Sequence, residues 1–207
     1  QLTNIADLSN LTNLSTLDVS NNLLLSVSNI PTATGLKILN ISHNQITSLE
    51  SLNTLTGLTS LDASYNLLTA LDKIKNLTNL QTLNASNNSI ISMSAIPSLY
   101  ALRTLDLSNN GLTNISELNN ISVNTLNLSN NAITDLNIEL PFVTTFDLRN
   151  NLLTNVDKIA LYSNITVLYI SDNRITNIDA LRACNTLKSI YCYNNLIEDI
   201  SAFDYTS

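Results

Sequence analysis

The chain has 207 residues, 9 of them basic and 16 acidic, and its net charge of −7 disfavours nucleic acid and anionic membrane as partners. Charged residues make up only 12%, roughly half the usual share for soluble domains, so solubility falls to Asn, Ser and Thr. Gly and Pro number 3 each, which leaves no linker composition, and no apolar run is long enough for a signal peptide or a membrane span.

From the N-terminus, the first periodic segment is Leu2-x-x-Ile5-x-x-Leu8-x-x-Leu11, the return half of an incomplete turn. A regular repeat follows, marked by Asn22, Asn44, Asn66, Asn88, Asn110, Asn131, Asn151, Asn173 and Asn195 at spacings of 22, 22, 22, 22, 21, 20, 22 and 22 residues. A fixed period in this range is the signature of a solenoid. The segment Leu102-x-x-Leu105-x-Leu107-x-x-Asn110-x-Leu112-x-x-Ile115-x-x-Leu118-x-x-Ile121 shows one turn whole.

Within each turn the residues before the Asn alternate apolar and polar, as in Leu105-Asp106-Leu107, which predicts a short strand with one face buried. Successive turns run in the same direction, so about nine such strands form a parallel sheet, an arc roughly 40 Å long at about 4.8 Å per strand. After the Asn, apolar residues arrive every third position, a spacing that suits 3₁₀ or loosely extended backbone on the convex side. The repeated Asn falls where the chain bends inward. Its amide has donors and an acceptor for backbone groups of its own turn and of a neighbour, so the nine form a structural ladder.

The stretch Thr134–Pro141 reads as a trimmed convex turn, because the repeat shortens around Asn131 and Asn151. Near the C-terminus, Cys184 and Cys192 hold apolar phases and read as small buried hydrophobes, not as a metal motif. Ile200 and Phe203 belong to the core stripe, as do Leu2 and Ile5, so neither end carries a polar cap. The expectation is one repeat domain over residues 1–207, a piece of a longer protein without its terminal caps. Ten Asn-x-Ser/Thr sequons occur, among them Asn76, Asn114 and Asn164; the repeat's own Asn/Leu/Ser vocabulary is enough to generate them.

The outward strand positions form the concave face. Its central row reads Asp18, Asn40, Asp62, Asn84, Asp106, Asn127, Asp147, Tyr169, Tyr191, and the row beside it is Ser until Arg149, with Tyr193 at the end. Alternating Asp and Asn suggest an amide–carboxylate lattice in which each Asn donates to the Asp on either side. Carboxylates two strands apart are too far from one another to share a metal ion, and no nucleophile or catalytic base accompanies them. The one histidine, His43, sits on the rim without an evident partner. The pattern breaks at the C-terminal end, where Arg149, Tyr169, Asp172, Arg174, Tyr191 and Tyr193 combine aromatic area with charges of both signs. Several readings stand: a binding surface rich in hot-spot residue types, rings that cover one another on the outside of the sheet or pack under a C-terminal cap or adjoining segment, or an incidental cluster.

Leu8-Ser9-Asn10-Leu11-Thr12-Asn13-Leu14 with Ser20-Asn21-Asn22, and Leu77-Thr78-Asn79-Leu80 with Ser86-Asn87-Asn88, closely resemble the 22-residue leucine-rich repeats of bacterial internalins. The pattern is also similar to the repeats of the protein phosphatase 1 regulatory subunit. The resemblance covers nearly the whole chain. It implies an α/β solenoid: a right-handed curved coil with a concave parallel sheet and 3₁₀ or irregular convex turns.

The expected function is that of a non-enzymatic protein-interaction module without a cofactor, on a cell surface or secreted, binding a protein partner through its concave face. Two other functions stay open: a cytoplasmic regulatory scaffold of the phosphatase-subunit kind, and a glycan-binding or self-assembling coat protein.

Overall fold

The computed structural model describes residues 1–5, 8, 11–28, 30 and 35–203. Ser9 and Asn10 of the first internalin-like segment lie outside the described residues. Nine three-residue strands follow one another: β1 (Thr16–Asp18), β2 (Ile38–Asn40), β3 (Ser60–Asp62), β4 (Thr82–Asn84), β5 (Thr104–Asp106), β6 (Thr125–Asn127), β7 (Thr145–Asp147), β8 (Val167–Tyr169) and β9 (Ser189–Tyr191). They form a single parallel sheet in sequence order, each strand pairing the next in unshifted register, so that Leu39 stands beside Leu61 and Leu61 beside Leu83. Equivalent residues of the repeat therefore sit side by side along the coil.

The returns carry 3₁₀ segments at Glu50–Thr54, Asp72–Ile74, Ile96–Ser98, Ser116–Leu118, Asp157–Leu161, Asp179–Ala183 and Ser201–Phe203. Three-residue spacing dictates this, since 3₁₀ geometry brings positions i and i+3 onto one face. The stripe Leu112, Ile115 and Leu118 turns inward and is buried with Leu105 and Leu107 of the adjoining strand region. The core is a continuous column of Leu, Ile and Val filling the coil.

All nine ladder asparagines serve as expected. Each Oδ1 accepts a backbone N–H from the preceding turn, at Leu2, Leu24, Ile46, Leu68, Ile90, Leu112, Ile133, Leu153 and Ile175. The Nδ2 group donates within its own turn and, in the interior, back to the turn before. Asn66, for example, reaches Ile41 O at 3.0 Å, Ala63 O at 3.2 Å and Ser64 O at 3.1 Å. The residue before each ladder Asn adopts positive φ, from 52° at Tyr65 to 59° at Asp172. Asn fills that position in most turns because its side chain tolerates left-handed backbone better than most.

The return from β6 to β7 is described throughout and contains no 3₁₀ segment. Its core residues Leu136, Ile138 and Leu140 are spaced by two and are all buried. The Ile138 N–H donates to Leu136 O at 2.7 Å, a tight γ-type turn, so the shortened return replaces the 3₁₀ segment with a still shorter turn that keeps residues two apart on the buried side. Tyr162, 1% exposed, comes from the following turn and fills volume behind it, donating its hydroxyl to Ile138 O at 3.1 Å. Phe146 packs against that ring at 6.2 Å. Burial pushes the Tyr162 hydroxyl pKa up, with Asp135 and Glu139 adding to the effect.

Both cysteines are free thiols. Cys184 is buried, whereas Cys192 is only half-buried, so the expectation of burial holds fully for one of them.

Candidate functional site

The concave face departs from the expected Asp/Asn lattice. Cross-strand amide–carboxylate bonds are formed by Asn40 to Asp18 at 3.1 Å and by Asn127 to Asp106 at 3.0 Å. The feature common to every turn from β1 to β7 is local. The Asp or Asn oxygen accepts the backbone N–H two residues on, at Ser20, Ser42, Ser64, Ser86, Ser108, Ser129 and Arg149, over 2.9–3.1 Å. Four of these serines also donate their hydroxyl to the same oxygen: Ser42, Ser64, Ser108 and Ser129. These are Asx caps that close the strand before the left-handed residue, and the central row is chiefly a structural element. At Asp18 the Ser20 backbone bond, helped by the Ser20 hydroxyl and Asn40, holds the carboxyl below its ordinary pKa.

His43 is not alone. Its ring stacks on Tyr65 with centroids 4.0 Å apart and planes 11° from parallel. Both residues stand immediately before a ladder Asn in successive turns, and that shared phase is the sequence signal that identifies the pair.

The caps end at β8. Tyr169 and Tyr191 occupy the capping position and offer no acceptor to the residues two places on. One consequence is visible beneath them: Ser171 is fully buried and its hydroxyl has no hydrogen-bond partner. What replaces the cap is a stack. The rings of Tyr169 and Tyr191 lie 4.7 Å apart and 10° from parallel, a separation equal to the usual spacing between strands. Arg149 covers the other side of Tyr169, its guanidinium carbon 5.0 Å from the ring centre. The same guanidinium bonds Asp147 through Nε at 3.0 Å and Nη2 at 2.5 Å, which raises the arginine pKa further. An arginine clamped in this way keeps a fixed plane over the tyrosine.

Four of the six expected site residues thus converge: Arg149, Tyr169 and Tyr191 in the stack, and Tyr193 beside it, 58% exposed. Asp172 lies at the rim, where it accepts a bond from Asn194 at 2.9 Å. Arg149, Asp172 and Tyr193 line an open depression of about 410 Å³ together with Asn130 and Asn150. Arg174, exposed beyond the ladder Asn173, is not among the residues lining it. Among the described residues no group of three His, Cys, Asp or Glu side chains is arranged to hold a metal ion, and no helix is long and apolar enough to cross a membrane.

A comparison with curated proteins gives no match. Among solved structures, two internalins of Listeria monocytogenes are similar to this chain. InlF is 27% identical with a TM-score of 0.76, over 88% of this chain and 62% of that one. InlC2 is 28% identical with a TM-score of 0.78, over 86% of this chain and 80% of that one. A leucine-rich repeat protein of Leptospira interrogans superposes with a TM-score of 0.88 at 26% identity, over 96% of this chain and 54% of its own length. The chain thus spans little more than half of some of these relatives. The family model for leucine-rich repeats in two copies matches residues 34–76, 78–120 and 163–205. With more than half of its length matched by that model, the chain belongs to the leucine-rich repeat family.

Proposed function

We propose that this chain is a surface-exposed or secreted recognition module that binds a protein partner through the C-terminal end of its concave face. Leucine-rich repeat solenoids are interaction scaffolds, and their curvature creates extended concave binding surfaces. The observation that carries the reading is the exchange of a structural cap for aromatic surface at Tyr169 and Tyr191. Seven turns keep the cap; the last two give it up and leave the Ser171 hydroxyl unpaired. A local rule broken at a cost, with polar backbone capping exchanged for aromatic side chains on the surface, is what a functional position looks like.

The first seven turns offer Asp and Asn already bonded to backbone and, at several turns, to Ser, so contacts with them gain little after dehydration. Arg149, Tyr169, Asp172, Tyr191 and Tyr193, with Arg174 as a flanking charge, supply the amphipathic area that dominates hot spots. At Tyr169, though not at the exposed Tyr191 and Tyr193, the stack disfavours a sugar. Sugar stacking needs an open aromatic face, and Tyr169 has Arg149 on one side and Tyr191 on the other. The ring edges, hydroxyls and guanidinium that remain suit peptide groups. A standard interface buries about 800 Å² on each side, so the partner extends beyond these residues.

The surface or secreted location draws on the low charge, the Ser/Thr/Asn-rich composition and the similarity to internalins. The test is alanine scanning against the partner recovered by affinity capture. Tyr169→Ala and Tyr191→Ala should each weaken binding by at least ~2 kcal/mol, roughly thirtyfold. If both leave affinity unchanged while Asp62→Ala or Asp106→Ala abolishes it, the polar row is the binding face. Sequence flanking the chain tests the location: a signal peptide with a wall or membrane anchor supports it, and an uninterrupted cytosolic chain overturns it.

A further inference from the structure

The shortened return between β6 and β7 leaves a mark on the convex surface. Its segment Asn137–Glu139 forms the floor of a groove, and the 3₁₀ turns Ser116–Leu118 and Asp157–Leu161 contribute to the walls on either side. Two adjoining depressions, of about 300 and 290 Å³, share Ser116, Asn137 and Ile138 and make the groove continuous. It is shallow and mainly polar, unlike the enclosed apolar pocket that a small-molecule ligand requires. Its breadth is what the absence of one 3₁₀ layer leaves. With neighbouring chains about 4.8 Å apart, the walls admit one extended strand.

The chemistry of the groove is uneven. In the second depression Asp135 is the only charged lining residue, and none of the three ion pairs among the described residues uses it. Glu139 lines the first depression opposite Lys158, and Leu161, 60% exposed, gives that wall an apolar surface. Of the three charged residues lining the two depressions, Asp135 and Glu139 are acidic and Lys158 is basic. Keeping this gap also places Phe146 and Tyr162 in the core behind it, where most turns carry smaller aliphatic residues.

We infer that this convex groove docks a short extended segment of a protein partner, with a lysine or arginine seated beside Asp135 and an apolar residue against Leu161. The surface is separate from the tyrosine stack and stands or falls independently of it. The probe is the capped tetrapeptide acetyl-Leu-Ser-Arg-Leu-amide, titrated into the ¹⁵N-labelled chain, with the Arg→Gln peptide as its control. Saturable amide shifts should be confined to residues 113–119, 135–139 and 158–161, and the arginine peptide should bind at least about threefold more tightly. Asp135→Asn should remove that preference while leaving the circular dichroism spectrum unchanged. A second variant, with two residues inserted after Leu136 to restore the full-length return, should lose the saturable shifts. Equal binding of both peptides, shifts scattered over the surface or centred on Tyr169 and Tyr191, or no shifts at all would overturn the assignment. So would an unchanged arginine preference in Asp135→Asn.

Discussion

Ser171 and Ser129 occupy the same position in different turns and should respond to the same substitution with opposite sign. The Ser129 hydroxyl donates to Asn127 Oδ1 at 2.8 Å, so Ser129→Ala deletes a satisfied, nearly buried hydrogen bond and should destabilise by about 1 kcal/mol. Ser171 has Tyr169 where Ser129 has Asn127, and its buried hydroxyl finds no acceptor. A buried polar group left unpaired costs about 1–3 kcal/mol. Ser171→Ala removes that cost and leaves a methyl group in nearly the same space, so it should stabilise by about 1 kcal/mol or somewhat more. For a chain of this length, each kcal/mol moves the thermal midpoint by roughly 2–4 °C. Urea denaturation at matched m-values, with thermal melts alongside, gives both numbers. If Ser171→Ala destabilises as much as Ser129→Ala, the hydroxyl has a partner, and the argument that the tyrosines displaced a structural cap fails.

In the ladder, Asn88→Ala should cost about 1–3 kcal/mol for each backbone group it strands, and Leu105→Ala about 2–5 kcal/mol through the cavity it opens. Both are read from the denaturation midpoint, and near-neutral results would mean that the inward and outward faces are reversed. The Tyr162 pKa is raised by burial, so the folded state favours its protonated form. Its contribution to stability is complete below the ordinary tyrosine value of about 10 and is lost as pH rises from there toward the folded value. Tyr162→Phe should therefore flatten the alkaline loss of stability while costing about 1 kcal/mol at neutral pH for the bond to Ile138 O. An unchanged alkaline profile would show that another group governs it. Asp18, held low by its Ser20 bonds, should titrate by NMR below an ordinary aspartate, and Ser20→Ala should move its midpoint upward. No movement in Ser20→Ala would leave the Ser20 backbone N–H and Asn40 as the causes.

The repeat was legible because each turn states the same physical problem again. Leu105, Leu107, Leu112, Ile115 and Leu118 declare which face is buried, and Asn110 supplies the groups that a buried bend needs. Backbone hydrogen bonding and apolar periodicity are local, so position in the repeat was enough to place nine strands and nine ladder residues. The shortened turn was legible as a deletion, but its loss of the 3₁₀ segment and the Tyr162 ring behind it were not, because they depend on what a neighbouring turn can push into the vacated volume. The same limit applied on the concave face. Sequence order put Tyr169 and Tyr191 on adjacent strands and Asp beside Asn across the sheet. Whether those side chains would bond across the strands or fold back onto their own backbone depended on rotamers and on distances of a few tenths of an ångström. The caps prevailed because an N–H two residues away is always within reach, whereas a partner on the next strand is reached only at some turns. His43 and Tyr65 found each other for a related reason: the unshifted register carries every position of one turn to the side of its equivalent in the next, and side-chain chemistry then decides which neighbours hold.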